Sequence, residues 1–291
     1  MSGAPLSRTL PGRMREAMRG APVLATGLVA LFVLVAAFAP WIVPHDPAEQ
    51  NFLASLAPPF WQEEGSLANL LGGDNLGRDI LSRIIYGARL SLVISLFAIA
   101  LAGTVGVLLG LIAGYVGGAI DSLIMRIVDA FLALPFILMA LGFVAALGPS
   151  VTNIVIVMGI TNWARYARLV RGEVLSVKSR DFVALARVAG QPLWRIGIKH
   201  ILPNVTNSII VLATLDLGRV IILESSLSFL GLGVQPPDIS WGLMLSDGRA
   251  YTTVAWWLTV MPGLAILFAV LSLNIFGDWL RDRLDPRQAR D

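Results

Sequence analysis

Long runs without a charged residue constrain this chain more than any other feature of its sequence. The segment Leu90–Ile120 contains no Asp, Glu, Lys or Arg and begins LSLVISLFAIALAGTVGVLLGLIAGY, and Ala21–Val43 is charge-free as well. An α-helix needs about 20 apolar residues to cross the roughly 30 Å hydrocarbon core of a bilayer. Only 14% of the residues are charged, against about 25% in a typical soluble domain. The sequence therefore predicts an all-α, polytopic integral membrane protein.

The pattern of apolar runs predicts six transmembrane helices. Ala130–Ala164 is charge-free but too long for one crossing, and Gly148-Pro149-Ser150 divides it into two. Pro135 predicts a bend, which membrane helices tolerate where neighbours satisfy the freed backbone groups. The predicted spans lie near 21–43, 90–120, 123–147, 151–169, 205–230 and 250–277.

Basic residues predict the orientation of these spans, because lysine and arginine favour cytoplasmic loops. Of the 22 basic residues, 16 fall on one side: four before the first span, eight between positions 165 and 199, and four after position 280. Four fall on the other side: Arg78, Arg83, Arg89 and Arg249. We predict that both termini are cytoplasmic. The asymmetry explains the pI near 9.7 without a nucleic-acid partner.

The first apolar run has two interpretations. Basic residues, the run itself and Ala37-Phe38-Ala39 are also the features of a cleavable signal peptide. The run is longer than a usual signal core, and Pro40 would directly follow the cleavage point. We interpret the run as a retained membrane anchor.

The stretch RDFVALARVAGQPLWRIGIKHILPN, from Arg180 to Asn204, predicts two short amphipathic helices. Ser179 is a candidate N-cap, and Asp181 suits the first turn. Gly190 suits the left-handed position after the helix, and Pro192 suits the first position of the next helix. Pro203 is predicted to mark the turn into the fifth span. The apolar stripe of the first helix comprises Phe182, Leu185, Ala186 and Ala189.

The second predicted helix is the more basic one. Arg195 and Lys199 lie together at i and i+4, with Trp194, Ile198 and Ile201 on another face. Helices of this length are marginal alone in water, so the apolar residues require a surface to cover them. That surface is either the lipid headgroups or a cytoplasmic protein.

The same stretch resembles the cytoplasmic loop of binding-protein-dependent ABC importer permeases. Their pattern is Glu-Ala-Ala, three residues, Gly, and later a His-x-Leu-Pro-Asn-like ending. Here Ala184-Leu185-Ala186 is followed by Gly190 and by His200-Ile201-Leu202-Pro203-Asn204; Ala184 replaces the glutamate, which removes one anionic contact. Four other stretches resemble the C-type permeases of dipeptide, oligopeptide and nickel importers, in the same order over residues 70–286. They are LGGDNLGRDILSRIIYGARLSL, ARYARLVRGEVLSVKSRDFV, SSLSFLGLGVQPPDISWGLML and FGDWLRDRLDP.

The resemblance implies a type I ABC importer permease with cytoplasmic coupling helices. It implies four partner subunits at a prokaryotic cytoplasmic membrane: a second permease, two ATP-binding cassette subunits and an extracytoplasmic binding protein. The coupling contact is expected over Asp181–Gly190, with Phe182 and Leu185 as apolar anchors. Arg187, Arg195 and Lys199 are expected to orient the loop or contact headgroups, and His200 to stabilise its ending. The implied divisions are 1–20, a cytoplasmic segment; 21–69, the first span and outer loop; 70–280, the permease core with coupling helices near 180–202; and 281–291, a cytoplasmic tail.

Catalytic and cofactor sites find little support in the sequence. A phosphate-binding loop requires a lysine after a glycine, and neither Lys178 nor Lys199 follows one. There is no cysteine, and His45 and His200 are predicted to lie on opposite sides of the membrane. We predict that the chain is not an enzyme and binds no metal or cofactor, and that the partner ATPase subunits use ATP and Mg.

Three ionisable residues fall inside the fifth span: Asp216, Arg219 and Glu224. Such residues are costly in a membrane and normally face protein or a water-filled cavity. Asp216 and Arg219, at i and i+3, are positioned to pair on one helix face. They form either a structural ion pair or part of a translocation path that meets the charged termini of a zwitterionic substrate.

The predicted function is that of a permease subunit importing peptides by alternating access. Nickel import remains open within the resembled family. Outside it, an ion-coupled secondary transporter would use Asp216 and Glu224 as coupling carboxylates, and a structural or regulatory membrane subunit would transport nothing.

Overall fold

The computed structural model describes residues 22–284 as a bundle of α-helices. The predicted segment 1–20 and positions 285–291 of the predicted tail lie outside the described residues. The all-α membrane-protein class predicted from the sequence is confirmed. In chain order the helices are α1 (Val23–Ile42), α2 (Ile80–Val116), α3 (Gly118–Ala133), α4 (Phe136–Leu147), α5 (Val151–Lys178), α6 (Asp181–Val188), α7 (Leu193–Phe229), α8 (Trp241–Gly248) and α9 (Trp257–Leu284).

The six predicted spans correspond to six helical units, which differ in how well they suit a membrane. By length and apolarity alone, the described residues contain four helices able to cross: α1, α2, α7 and α9. The bent pair α3–α4 makes a fifth if it is one span. Helix α5 falls short of that apolarity because its second half carries Arg165, Arg168 and Arg171. It is nevertheless a central helix, with a buried face that includes Ile154, Val157 and Tyr166.

The bend predicted at Pro135 is a sharp break. Helices α3 and α4 meet at 94°, and Leu134 between them is extended, with φ −87° and ψ 135°. A residue before proline avoids the α region because the proline ring contacts its backbone. The third predicted span is therefore two short helices rather than one kinked helix.

Helices α2 and α5 pack more extensively than any other pair in the described residues. Gly106, Gly110 and Gly114 face α5 at four-residue spacing. A Cβ atom at Gly106 would lie 2.4 Å from the Trp163 carbonyl oxygen, and one at Gly110 would lie 2.7 Å from the Ala167 carbonyl oxygen. Small residues at this spacing let membrane helices approach backbone to backbone. This contact forms the centre of the bundle.

The bundle has two ends, and we call the one that carries α6 the α6 end. At the α6 end, Lys178 Nζ donates hydrogen bonds to the last carbonyls of α2. At the opposite end, the segment between α1 and α2 folds over the helix ends. Asp79 caps α2 by accepting from the Ser82 backbone N–H at 2.8 Å, and Trp257 Nε1 donates to the Gly73 carbonyl oxygen at 3.2 Å.

Candidate functional site

Helix α6 ends as the sequence predicts but begins differently. Gly190 has φ +72°; its N–H donates to the Arg187 carbonyl, and the Gln191 N–H donates to the Ala186 carbonyl at 3.2 Å. These two bonds form a Schellman motif. The predicted N-cap Ser179 is wrong: its hydroxyl donates to the Ser176 carbonyl oxygen at 2.9 Å and so belongs to the end of α5. Arg180 precedes α6 without a side-chain cap.

The second predicted short helix is also wrong, because it forms the first turns of α7. Leu193–Ile196 leads through a π-helical segment, Gly197–Ile201, directly into the long helix. The Leu202 N–H bonds to the Gly197 carbonyl. A π-turn accommodates a residue such as Pro203 that has no N–H to continue the regular ladder. Pro203 therefore does not mark a turn, and Pro192 occupies the N-cap rather than the first helical position.

The two faces of α6 have different environments. Val183 and Ala186 are buried against side chains of α2, α5 and α7. Phe182, Leu185 and Val188 are 37%, 68% and 87% exposed. Of the predicted apolar stripe, only Ala186 faces the bundle. The expected anchors Phe182 and Leu185 lie on the free face, and their contact with an ATPase stays a prediction.

Cationic and aromatic side chains connect the α6 region to α2. The Arg187 guanidinium lies 5.3 Å from the centre of the Tyr115 ring, and Lys178 Nζ lies 6.0 Å from it. Tyr115 is the penultimate residue of α2. Cation–π contacts of this kind contribute roughly 0.5–2 kcal/mol. Helix α6 is therefore tied to α5 and α7 by its apolar face and to α2 by Arg187.

The remaining predicted loop residues lie on or beside this joint. His200 Nε2 lies 3.0 Å from Gln191 Oε1, so it bridges α7 to the turn after α6. The exposed Arg195 guanidinium lies 5.4 Å from the ring of Trp194. Asp181 and Ala184 are exposed on α6.

The charged residues of α7 do not form one group. Asp216 is buried, and its Oδ1 accepts from Arg165 Nη1 of α5 at 2.5 Å. Arg219 Nη1 lies 3.8 Å from the same oxygen and donates to Asn162 Oδ1 at 3.2 Å. The predicted pair Asp216–Arg219 is present but is secondary to the interhelical pair with Arg165. Arg165 contributed only to the predicted orientation, so its ion pair with Asp216 was not predicted from the sequence.

Glu224 lies in a separate, fully buried cluster of serines. The Ser228 hydroxyl donates to Glu224 Oε1 at 2.7 Å and accepts the Val234 N–H at 3.0 Å. Ser225 Oγ lies 3.5 Å from Oε2. These bonds hold the turn that follows α7. A coupling role for Glu224, together with Asp216, stays untested.

Two further ion pairs connect α5 to α3. Arg171 donates to both oxygens of Asp121, at 2.6 and 2.7 Å, and Arg168 pairs with Asp129. With Arg165, these arginines recur at three-residue spacing along one side of α5. That spacing was the feature of the sequence from which a series of ion pairs along α5 could have been predicted.

Comparison with known proteins identifies families and relatives that this chain resembles. Residues 106–290 match the family described as "Binding-protein-dependent transport system inner membrane component". Residues 21–59 match the "N-terminal TM domain of oligopeptide transport permease C". The chain is 47% identical over 257 residues to the di/tripeptide transport system permease protein DppC of Pseudomonas aeruginosa (strain UCBPP-PA14), covering 88% of this chain and 85% of the relative.

A second relative and one solved structure extend the comparison to further sequence similarity and to the fold. The dipeptide transport system permease protein DppC of Escherichia coli (strain K12) is 49% identical over 259 residues, covering 89% of this chain and 86% of the relative. A solved inward-facing structure of the MetNI methionine ABC transporter has a TM-score of 0.57 at 14% identity, covering 69% of this chain and 96% of that chain. At that identity, the structural likeness shows the fold alone. The chain therefore belongs to the family of binding-protein-dependent transport system inner membrane components, as a multi-pass permease of the inner membrane.

Proposed function

We propose that this chain is a permease subunit of an ATP-driven importer that carries dipeptides or similarly short peptides into the cytoplasm. The sequence alone left peptides and nickel open; the relatives named for dipeptide and di/tripeptide transport favour peptides. Its partners are a second permease, two ATP-binding cassette subunits and an extracytoplasmic binding protein. ATP and Mg are used by the ATPase subunits, and this chain carries out no bond chemistry.

The observation that carries this proposal is the two-sided packing of α6. Val183 and Ala186 attach the helix to the bundle, while Phe182, Leu185 and Val188 form an exposed apolar row. Full burial of an exposed Leu side chain contributes at most roughly 1.5–3 kcal/mol, from which the entropic cost of association is subtracted. An ATPase subunit that receives this row gains several such contributions from a helix that the bundle already holds in place.

The proposed mechanism is alternating access driven through α6. When the ATPase subunits close on nucleotide, they displace α6, and its buried face moves α5 and α7 with it. Arg187 carries the displacement to α2 through Tyr115. The excess of basic residues at this end of the bundle supports a cytoplasmic position for α6. The bundle then opens toward the opposite side of the membrane.

Single cysteines test the position of α6, because the chain contains no cysteine of its own. Leu185→Cys is compared with Leu53→Cys, because Leu53 is 100% exposed at the opposite end of the bundle. In membrane vesicles of either orientation, a membrane-impermeant maleimide should reach Leu185→Cys only from the cytoplasmic side and Leu53→Cys only from outside. Bound ATPase subunits should protect Leu185→Cys alone. Labelling of Leu185→Cys from outside, or without protection, would contradict the proposed joint.

Transport itself is tested with the complete complex in proteoliposomes. Uptake of labelled L-alanyl-L-alanine should require ATP, the binding protein and this chain. Uptake that continues without ATP but stops with an uncoupler would instead support an ion-coupled transporter. Uptake unchanged when this chain is omitted would support a structural subunit.

A further inference from the structure

Arg165, Asp216 and Arg219 form a charged site about halfway through the bundle. At 1.5 Å per residue, Arg165 lies roughly 21 Å along α5 from Val151, and Arg219 lies roughly 15 Å before the end of α7 at Phe229. The hydrocarbon core is roughly 30 Å thick. Tyr166, which follows Arg165, packs against Gly106 near the middle of the charge-free part of α2. The three charges are therefore near mid-membrane.

Both arginines are partly open to the surroundings of the subunit. The side chains of Arg165 and Arg219 are 34% and 40% exposed, whereas that of Asp216 is 3% exposed. Exposed charges at this depth do not face lipid; they face protein or a water-filled cavity. This side of α5 and α7 therefore faces either another protein or a water-filled cavity.

The charges at this site do not balance. Two guanidiniums share the single carboxylate of Asp216, and within residues 22–284 neither has an ion pair with a second carboxylate. The other partner of Arg219 is the neutral amide of Asn162. Arg168 and Arg171 have carboxylates of their own and leave this excess unchanged. The site thus carries one uncompensated positive charge.

We propose that Arg165 and Arg219 bind the C-terminal carboxylate of a peptide as it passes through the membrane, an inference that rests on the proposed function. Guanidinium groups match carboxylates with paired hydrogen bonds. Asp216 holds both guanidiniums and cancels one of their charges, so the site attracts a carboxylate without retaining it. Sites on a conduction path must bind weakly enough to release. The net positive charge favours the carboxylate end of the peptide. An isolated Asp216–Arg219 pair would instead suit both ends of a zwitterion.

The test compares L-alanyl-L-alanine with its C-terminal amide in proteoliposomes that contain the complete complex. In Arg219→Gln, uptake of the free carboxylate should fall about tenfold relative to uptake of the amide, the scale expected for a lost charge-assisted hydrogen bond. Arg219→Lys, which keeps the charge without the fork, should give an intermediate ratio. Arg168→Gln is the matched control, since Arg168 lies one turn further along α5 and has its own partner Asp129; its ratio should stay within about twofold of wild type.

The outcomes separate this inference from the proposed function. A wild-type complex that takes up neither peptide refutes the proposed function. Wild-type uptake with an unchanged carboxylate-to-amide ratio in Arg219→Gln overturns the carboxylate site alone. Binding-protein-stimulated ATP hydrolysis checks assembly of each variant. If both Arg219→Gln and Arg219→Lys fail to assemble with the second permease, the arginine belongs to a subunit contact and the carboxylate site is likewise overturned.

Discussion

The same substitution at two valines of α6 should have opposite effects on how firmly the helix is held. Val183 is fully buried, and Val188 is 87% exposed. Val183→Ala removes two buried methyl groups and costs about 2 kcal/mol. Alanine returns about 0.5 kcal/mol through its higher helix propensity. The net loss of about 1.5 kcal/mol corresponds to about tenfold in the equilibrium for opening α6.

Hydrogen exchange measured by mass spectrometry on the full chain in detergent reports this opening, because protected amides exchange through local unfolding. Peptides covering positions 181–190 should exchange about tenfold faster in Val183→Ala. Val188→Ala has nothing buried to lose and gains helix propensity, so it should exchange at the wild-type rate or more slowly. Equal acceleration in the two variants, or none in Val183→Ala, would refute the assignment of α6 faces.

Two further substitutions test the packing that supports the site. Gly106→Ala places a Cβ 2.4 Å from the Trp163 carbonyl oxygen and should lower the thermal unfolding temperature by several degrees. Gly103→Ala is the control: its Cβ would lie 3.8 Å from the Tyr166 ring, an ordinary contact, so the unfolding temperature should not fall. Equal melting temperatures would contradict the α2–α5 contact. Ser228→Ala leaves the buried Glu224 carboxylate and the Val234 N–H without this hydroxyl and should cost about 2 kcal/mol. Ser226→Ala loses only a bond to the carbonyl four residues earlier and should cost less than half as much in urea unfolding; a larger loss at Ser226 would be inconsistent with the serine cluster.

The features that the sequence predicted correctly depend on local physics. The length of the apolar run predicts a membrane helix over most of Leu90–Ile120, and the helix α2 that contains this run ends at Val116. Pro135 disfavours a helical backbone at Leu134, because the proline ring contacts the backbone of the residue before it. Gly190 supplies the left-handed backbone that a Schellman motif requires. Each of these needs only a few neighbouring residues, so a single sequence suffices.

The features that were missed depend on contacts between helices or on where a helix stops. Ser179 was predicted to cap α6, but α5 continues past its predicted end near position 169 to Lys178, and the Ser179 hydroxyl bonds to a carbonyl of α5 instead. The partner of Asp216 is 51 residues away in the sequence. The glycines that face α5 were visible at four-residue spacing, but the spacing does not say which helix they meet.

The continuity of α7 predicts that α6 and the charged site move together. Helix α7 runs unbroken from Leu193, beside α6, to Arg219, a distance of roughly 39 Å at 1.5 Å per residue. Replacing Ile210 and Val211 with glycine should weaken this rod by about 2 kcal/mol relative to the same positions as alanine. We expect the glycine variant to hydrolyse ATP while peptide uptake falls severalfold, and the alanine variant to keep both. Because both variants remove the same apolar side chains, equal uptake would show that displacement reaches Asp216 by a route other than α7.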